Sequence, residues 1–317
     1  MQAVLTPEKP SVEKPGGVAE MPQYRIAPPG FTEEQRDFFE REGYLILPDR
    51  LTDDEIARYV EAIDRHTKDH PKYNPNEFFA RENIVELDPI FAELIDHPRH
   101  VGYVYDYYGE LLKLHISQFF LRPHGGKHNM WHPDGARAVP YQVFAPELPC
   151  QIKVSYWLTD VEEPGMGNIV MLPGSHRQQY MEAYDTHDSV PGELVLCVPR
   201  GTITLMNCNV WHRVEPNYSD RVRKNFFLAY CPSWVVAADR LQNDPEWLKT
   251  LNREQRIIMR SYSYAYDHTK PPAKDFPLFL DRETGLDHDP GKYPDHVALN
   301  RRKRLLPHEK RNGVTVR

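Results

Sequence analysis

The apolar positions change their period twice along the chain. Near the N-terminus the period is helical: Thr32 reads as an N-cap with Glu33 and Glu34 in the first turn, Phe38 and Phe39 follow, and Gly43 stops the run. Segment 43–48 then reads as a short strand. A second helix opens at Thr52 and carries Ile56, Tyr59, Val60 and Ile63 at helical spacing. A third is predicted over 89–108, ending at Gly109. From residue 111 the texture changes. Segments 114–122, 151–158, 168–172, 193–198, 201–206 and 222–230 are short, β-branched or aromatic, and separated by Gly, Pro, Asn and Asp, so each is predicted as a strand. Helical texture returns at 245–261, before a Pro-rich tail. Helices followed by a run of short strands predict an α+β protein built on an antiparallel sandwich or barrel.

The ends differ in character from this middle. Residues 1–29 hold Pro-Gly and Pro-Pro steps and no apolar period, which predicts a mobile arm. The expected organisation is therefore the arm, one domain over 30–239, and a helical extension over 240–317 packed on that same domain. The basic run Arg301–Arg304 reads as a solvated face or frayed end. No internal repeat is present.

Composition narrows the function. With 317 residues, 40% hydrophobic and 27% charged, the chain has a soluble globular balance and enough length for a large core. A net charge of −7 has the wrong sign for a nucleic-acid binder. No apolar run approaches the roughly 18 residues that span a bilayer, and the first residues carry no apolar signal-peptide core. Cys150, Cys197, Cys208 and Cys231 form no C-x-x-C pair, so neither a disulfide framework nor a zinc ribbon is indicated. The expectation is a cytoplasmic enzyme or small-ligand binder, monomeric or homodimeric, with no nucleic-acid or membrane partner.

The candidate chemistry lies in the strand region. His132 and Asp134 are two residues apart, so on a strand both side chains leave from one face. His212 follows further along, in Val210-Trp-His-Arg-Val. Two imidazoles and one carboxylate on one face leave the opposite coordination positions open, the arrangement used by non-haem Fe(II) oxygenases. A single histidine is ordinarily exposed or hydrogen-bonded, and the added weight comes from Arg223, eleven residues beyond His212 within a strand. An arginine buried there needs an anion, and its planar fork suits the distal carboxylate of 2-oxoglutarate. Arg221 shares the strand face, and alternation alone does not choose between them.

The order His132-x-Asp134, then Leu172-Pro-Gly-Ser-His176, then His212 with Arg223 eleven on, resembles the phytanoyl-CoA dioxygenase family of Fe(II)/2-oxoglutarate oxygenases. The opening helix–strand–helix segment, about residues 31–66, and Ile95-Asp-His-Pro98 before a helix ending in Gly109 fit the same family, so the likeness spans about residues 31–235. It implies a double-stranded β-helix, a jelly-roll or cupin-like barrel with flanking N-terminal and C-terminal helices. It implies that His132, Asp134 and His212 ligate iron and that Arg223, chosen over Arg221 by the spacing, binds the C5 carboxylate of 2-oxoglutarate. Trp157 lines the co-substrate pocket in this scheme, Gln118 joins the co-substrate set, and O2 is the second co-substrate. The chain departs from several relatives at Met130 and Pro133, where they have glutamine, at Arg122, where many have lysine, and at Val214, where they have Ser or Thr. Asp134 is retained where halogenating relatives lose the carboxylate, which favours hydroxylation or another oxidation over halogenation.

If Trp157 faces the pocket, alternation brings Lys153, Ser155 and Thr159 to the same face, and Lys153 becomes a candidate for an anionic group of co-substrate or substrate. Segment 135–149 is long for a hairpin loop and reads as a lid carrying Arg137, Tyr141 and Gln142. With Tyr156 these candidates mix charge and aromatics, which suggests a small polar or carboxylated substrate. His176 reads as a turn-stabilising histidine. The expected activity is hydroxylation of an unactivated C–H bond. Desaturation, epimerisation or cyclisation with the same cofactors, a zinc hydrolase that would not need Arg223, and a catalytically silent ligand-binding barrel are the alternatives.

Overall fold

The opening helix, α1 (Glu33–Glu42), is closed at both ends by its own sequence. Thr32 and Gln35 cap each other's backbone N–H in a reciprocal box, and Gly43 ends the helix at φ 82°. A Cβ on Gly43 would lie 2.5 Å from His176 Nδ1 and 2.4 Å from Val210, so glycine is required for packing as well as conformation. The computed structural model describes residues 25–126, 129–134, 149–177, 186–260, 278–280 and 282.

Strand β1 (Tyr44–Ile46) leads to α2 (Asp53–Thr67), whose Thr52–Glu55 box repeats the device of α1 and whose Ile56, Tyr59, Ala62 and Ile63 are buried. The single helix expected over 89–108 is broken. It becomes α3 (Pro89–Ala92), a 3-10 turn at Glu93–Asp96, and α4 (Val101–Tyr108). Pro98 is the cause: its ring disfavours the helical region for the preceding residue, and His97 takes ψ 127°.

Eight further strands follow: β2 (Phe79–Glu82), β3 (Leu112–Arg122), β4 (Ile152–Trp157), β5 (Ile169–Met171), β6 (Leu194–Val195), β7 (Ile203–Asn207), β8 (His212–Val214) and β9 (Arg223–Pro232). The larger sheet runs β1-β7-β4-β9-β3-β2 and the smaller β6-β5-β8, all neighbours antiparallel. Alternation divides the larger sheet into two faces. Phe119, Leu121, Ile152, Val154, Tyr156, Ile203, Leu205, Phe226, Leu228 and Tyr230 enter the main core with the helices. Trp157 and Met206, on the opposite face, join Met171, Val198 and Val210 in a second core between the sheets. Trp131, Val170 and Trp211 form a third core on the far side of the smaller sheet.

At the C-terminal end the helical texture resolves into α5 (Pro245–Thr250) and α6 (Arg253–Met259), separated where Asn252 caps α6. Gln255 of α6 donates to Ala92 O (3.0 Å) and Asp96 Oδ1 (2.9 Å), tying the extension to the domain. Residues 25–29 were expected in the mobile arm, yet the chain is pinned there: Ala27 N donates to Leu280 O and Leu280 N to Arg25 O, both at 2.7 Å. The rest of the arm, the lid residues Arg137, Tyr141 and Gln142, the Pro-rich tail and the run Arg301–Arg304 lie outside the described residues. Among the described residues no helix is long and apolar enough to cross a membrane.

Candidate active site

Two Trp-His dipeptides build the site. His132 and His212 face each other across an antiparallel bridge, each backbone N–H donating to the other's carbonyl at 3.0 Å. Because side chains alternate, Trp131 and Trp211 turn outward into the third core while both imidazoles turn in. The rings lie 4.4 Å apart. Asp134, two residues past His132, is fixed by its backbone N–H donating to Cys208 O at 2.8 Å. The ligating atoms of His132, Asp134 and His212 all lie within 4.8 Å of one another.

The imidazoles are oriented before any ligand arrives. His132 Nδ1 donates to Met130 O (2.8 Å) and His212 Nδ1 to Val210 O (3.0 Å). Each Nε2 is thereby left as the lone-pair nitrogen facing Asp134, at 3.8 Å from Oδ1 for His132 and 3.7 Å from Oδ2 for His212. Burial, against the opposing field of Asp134, pushes His212 down to about 4, so it is neutral at pH 7. For Asp134 burial acts upward, but Lys153 and the two histidines together outweigh it and hold the carboxyl well below the usual carboxylate range. A neutral His212 beside an ionised carboxylate suits the donor set of a divalent iron.

Lys153 projects from β4 on the inner face, and its ammonium makes an ion pair with Asp134 Oδ2. Trp157 is on the same face, fully buried, with Nε1 donating to Thr204 Oγ1 at 3.2 Å. Arg223 opens β9 and is buried, whereas Arg221 lies before the strand, largely exposed and paired with Asp160 at 3.3 Å. Of the two arginines, Arg223 is the buried one. The Arg223 guanidinium lies 5.7 Å from the Trp157 ring centroid, donates through Nη1 to Gly167 O, and has no partner at Nε among the described residues. Burial first, and Arg122 second, push it down to about 9.

Not every sequence candidate belongs here. Tyr156 alternates to the opposite face from Trp157: its hydroxyl hydrogen-bonds His100 Nδ1 at 2.5 Å and its ring stacks on Phe226 in the main core. It cannot line the same pocket as its neighbour, and the substrate role expected of it is withdrawn. Gln118 does face inward, but its amide donates to Glu82 Oε1 at 2.7 Å toward the sheet edge rather than to the metal cluster. His176 is the turn histidine expected, buried with Nε2 at 3.0 Å from Glu40 O. Sequence reasoning missed Asn225 and Phe227, which share Arg223's face by parity along β9. Asn225 Oδ1 is buried and has no partner among the described residues.

A model of the family described as Phytanoyl-CoA dioxygenase (PhyH) matches residues 39–225. The ectoine dioxygenase of Bordetella bronchiseptica is 25% identical over 235 residues, covering 62% of this chain and 74% of that protein. A probable alpha-ketoglutarate-dependent hypophosphite dioxygenase of Stutzerimonas stutzeri is 25% identical over 260 residues, covering 70% of this chain and 87% of its own. Among solved structures, HygX from Streptomyces hygroscopicus with nickel and 2-oxoglutarate bound matches with a TM-score of 0.54 at 19% identity, over 66% of this chain and 90% of that one. The two facing antiparallel sheets are those of a double-stranded β-helix.

Proposed function

The chain belongs to the phytanoyl-CoA dioxygenase family, and from that premise we propose that it hydroxylates an unactivated C–H bond of a small polar or carboxylated molecule, with His132, Asp134 and His212 as its iron ligands. It is an iron- and 2-oxoglutarate-dependent dioxygenase. The observation that carries the residue assignment is the orientation of the donor set. Both histidines spend Nδ1 on their own strands and turn Nε2 toward one ionised carboxylate, so little reorganisation opposes metal uptake.

When bound, iron and 2-oxoglutarate supply the oxidation, one O2 being consumed as 2-oxoglutarate becomes succinate and CO2 and the substrate gains a hydroxyl. The protein's own part is positioning. Arg223 holds the distal carboxylate: its guanidinium is buried, and no carboxylate of the described residues perturbs it, so an incoming anion meets an uncompensated cation. Trp157, anchored by Thr204, forms a wall beside that cation and keeps water from it. A cytoplasmic setting, as a monomer or homodimer, belongs to the same reading.

The test is an anaerobic titration of the metal-free protein with Fe(II) and then 2-oxoglutarate, following the visible charge-transfer band of the chelate. The band should appear in wild type and weaken strongly in Arg223→Glu. Iron binding without any band would leave a metal site that does not use this co-substrate, and an absence of iron binding would overturn the proposal. A zinc hydrolase using the same ligands would be indifferent to Arg223→Glu.

A further inference from the structure

A strip of side chains runs from the metal-ligand cluster to the surface on the inner face of the larger sheet. It begins at Lys153, whose Nζ lies over the Phe227 ring at 4.4 Å from the centroid. Phe227 meets Phe120 at 5.1 Å between ring centroids, and Phe120 stacks on Phe78 at 5.6 Å with 25° between planes. Phe78 is 52% exposed. The strip therefore crosses β4, β9 and β3 diagonally and emerges beside β2.

Among the described residues, two features of this strip lack a structural explanation. Lys153 is 8% exposed, and an ammonium carries three N–H donors. Among the described residues Asp134 is its only anionic partner, so the group keeps donors in a site where unmet donors are costly. Phe227 is only 8% exposed, yet neither it nor Phe120 belongs to any of the three apolar cores of the described residues. A buried cation with spare donors, continued by flat apolar surface outside the cores, is complementary to one kind of molecule.

Resting on the oxygenase reading above, we infer that Lys153, Phe227, Phe120 and Phe78 form the substrate-recognition wall, and that it selects a small carboxylate with a flat, apolar body. The carboxylate meets Lys153 beside the metal ligands, and the body lies along the phenyl rings. A carboxylate at Lys153 has two sources, the near end of 2-oxoglutarate or the substrate. The substrate is favoured because the strip continues to the surface at Phe78, which an access route requires and a co-substrate site does not. Lys153 is a specificity-determining residue in this scheme, and Phe78 marks the entrance.

The test uses the full chain loaded anaerobically with Fe(II) and saturating 2-oxoglutarate, with 3-phenylpropanoate as the probe and its amide as the uncharged control. Binding is read as perturbation of the chelate's visible band. The acid should bind at least about tenfold more tightly than the amide. Lys153→Met should abolish that discrimination, Lys153→Arg should retain it, and Phe227→Leu should weaken acid and amide alike. The 2-oxoglutarate affinity of these variants should stay within about threefold of wild type, and thermal melts verify their folding. Equal binding of acid and amide to wild type, or no perturbation by either, overturns the inference. So does a Lys153→Met variant that loses 2-oxoglutarate affinity while its response to the probe is unchanged, which would give Lys153 to the co-substrate and leave the oxygenase reading intact. Failure of wild type to form the chelate at all removes the oxygenase reading and this inference together.

Discussion

Arg122 and Arg223 stand directly opposite each other on β3 and β9, and both are buried. Two like charges side by side in a desolvated setting oppose folding, and in the proposed reading the pair is a cost the fold carries for binding an anion. Asn217 supports it by donating from Nδ2 to the backbone carbonyls of Arg122 (2.9 Å) and Arg221 (2.6 Å). Arg223→Met is therefore expected to raise unfolding stability by about 1–2 kcal/mol while weakening 2-oxoglutarate binding by about 100-fold. Urea unfolding and the anaerobic titration check the two halves. A variant that loses stability would mean that the bond to Gly167 O outweighs the charge repulsion.

Asp134 pairs with Lys153 and, in the proposed reading, also binds the metal, and the variants separate the two roles. Asp134→Asn is expected to lower Fe(II) affinity by at least about 100-fold and to cost about 1–2 kcal/mol of metal-free stability, discounted for the partly exposed carboxylate, because Lys153 loses its counter-charge. Adding Lys153→Met to Asp134→Asn should restore most of that stability and none of the iron binding. Calorimetric iron titration and denaturation of the four members of the cycle measure both. Additive stability losses would show that the ion pair contributes nothing.

Tyr156 belongs to a buried hydrogen-bond chain behind the sheet. His100 bridges the Tyr156 and Tyr230 hydroxyls at 2.5 and 2.7 Å, and Tyr230 in turn donates to Leu94 O and Ile95 O. Tyr156→Phe strands one imidazole nitrogen and should cost about 1–3 kcal/mol. The iron–2-oxoglutarate band should be unchanged in this variant. A changed band with unchanged stability would return Tyr156 to the active site.

Legibility of the fold followed how locally each element is determined. The capping boxes at Thr32 and Thr52 need only four residues, and both helix starts were readable. Pro98 was equally visible, but the apolar period across 89–108 masked the break it makes. Strand β8 could not be read, because His212–Val214 is polar and short and owes its conformation to pairing with Met171 and its neighbours. The same holds for Phe79–Glu82, a strand only because Leu121 and its neighbours supply the register. In the site, the placement of Lys153 on the face of Trp157 followed from alternation, and the same alternation contradicts the reading of Tyr156 as a pocket residue. Phe227 was reachable by the same parity from Arg223, while its stacking on Phe120 depends on the register between β3 and β9, which no single segment encodes.

Glu110 provides the pH test of the fold. Its buried carboxyl accepts from Tyr105 Oη at 2.9 Å and from Leu278 N at 2.5 Å, which ties residues 278–280 to the domain. Burial pushes the group up to about 7 from an ordinary 4.5, despite the Leu278 N–H and the charges of Arg260 and Arg253 acting the other way. The folded protein thus holds a proton that the unfolded chain releases. Its contribution to stability is full below the unfolded value and is lost as pH rises through the folded one, a decline of about 3 kcal/mol between about pH 4.5 and 7. Histidines that burial keeps neutral, His97 and His212 at about 4, act with the opposite sign over an overlapping range. The quantity to read is therefore the stability of wild type minus that of Glu110→Gln, by urea unfolding at several pH values. That difference should fall by about 2 kcal/mol from pH 5 to 7 and level off above about pH 8. A difference that stays constant across the range would mean that Glu110 titrates in the folded state as it does in the unfolded chain.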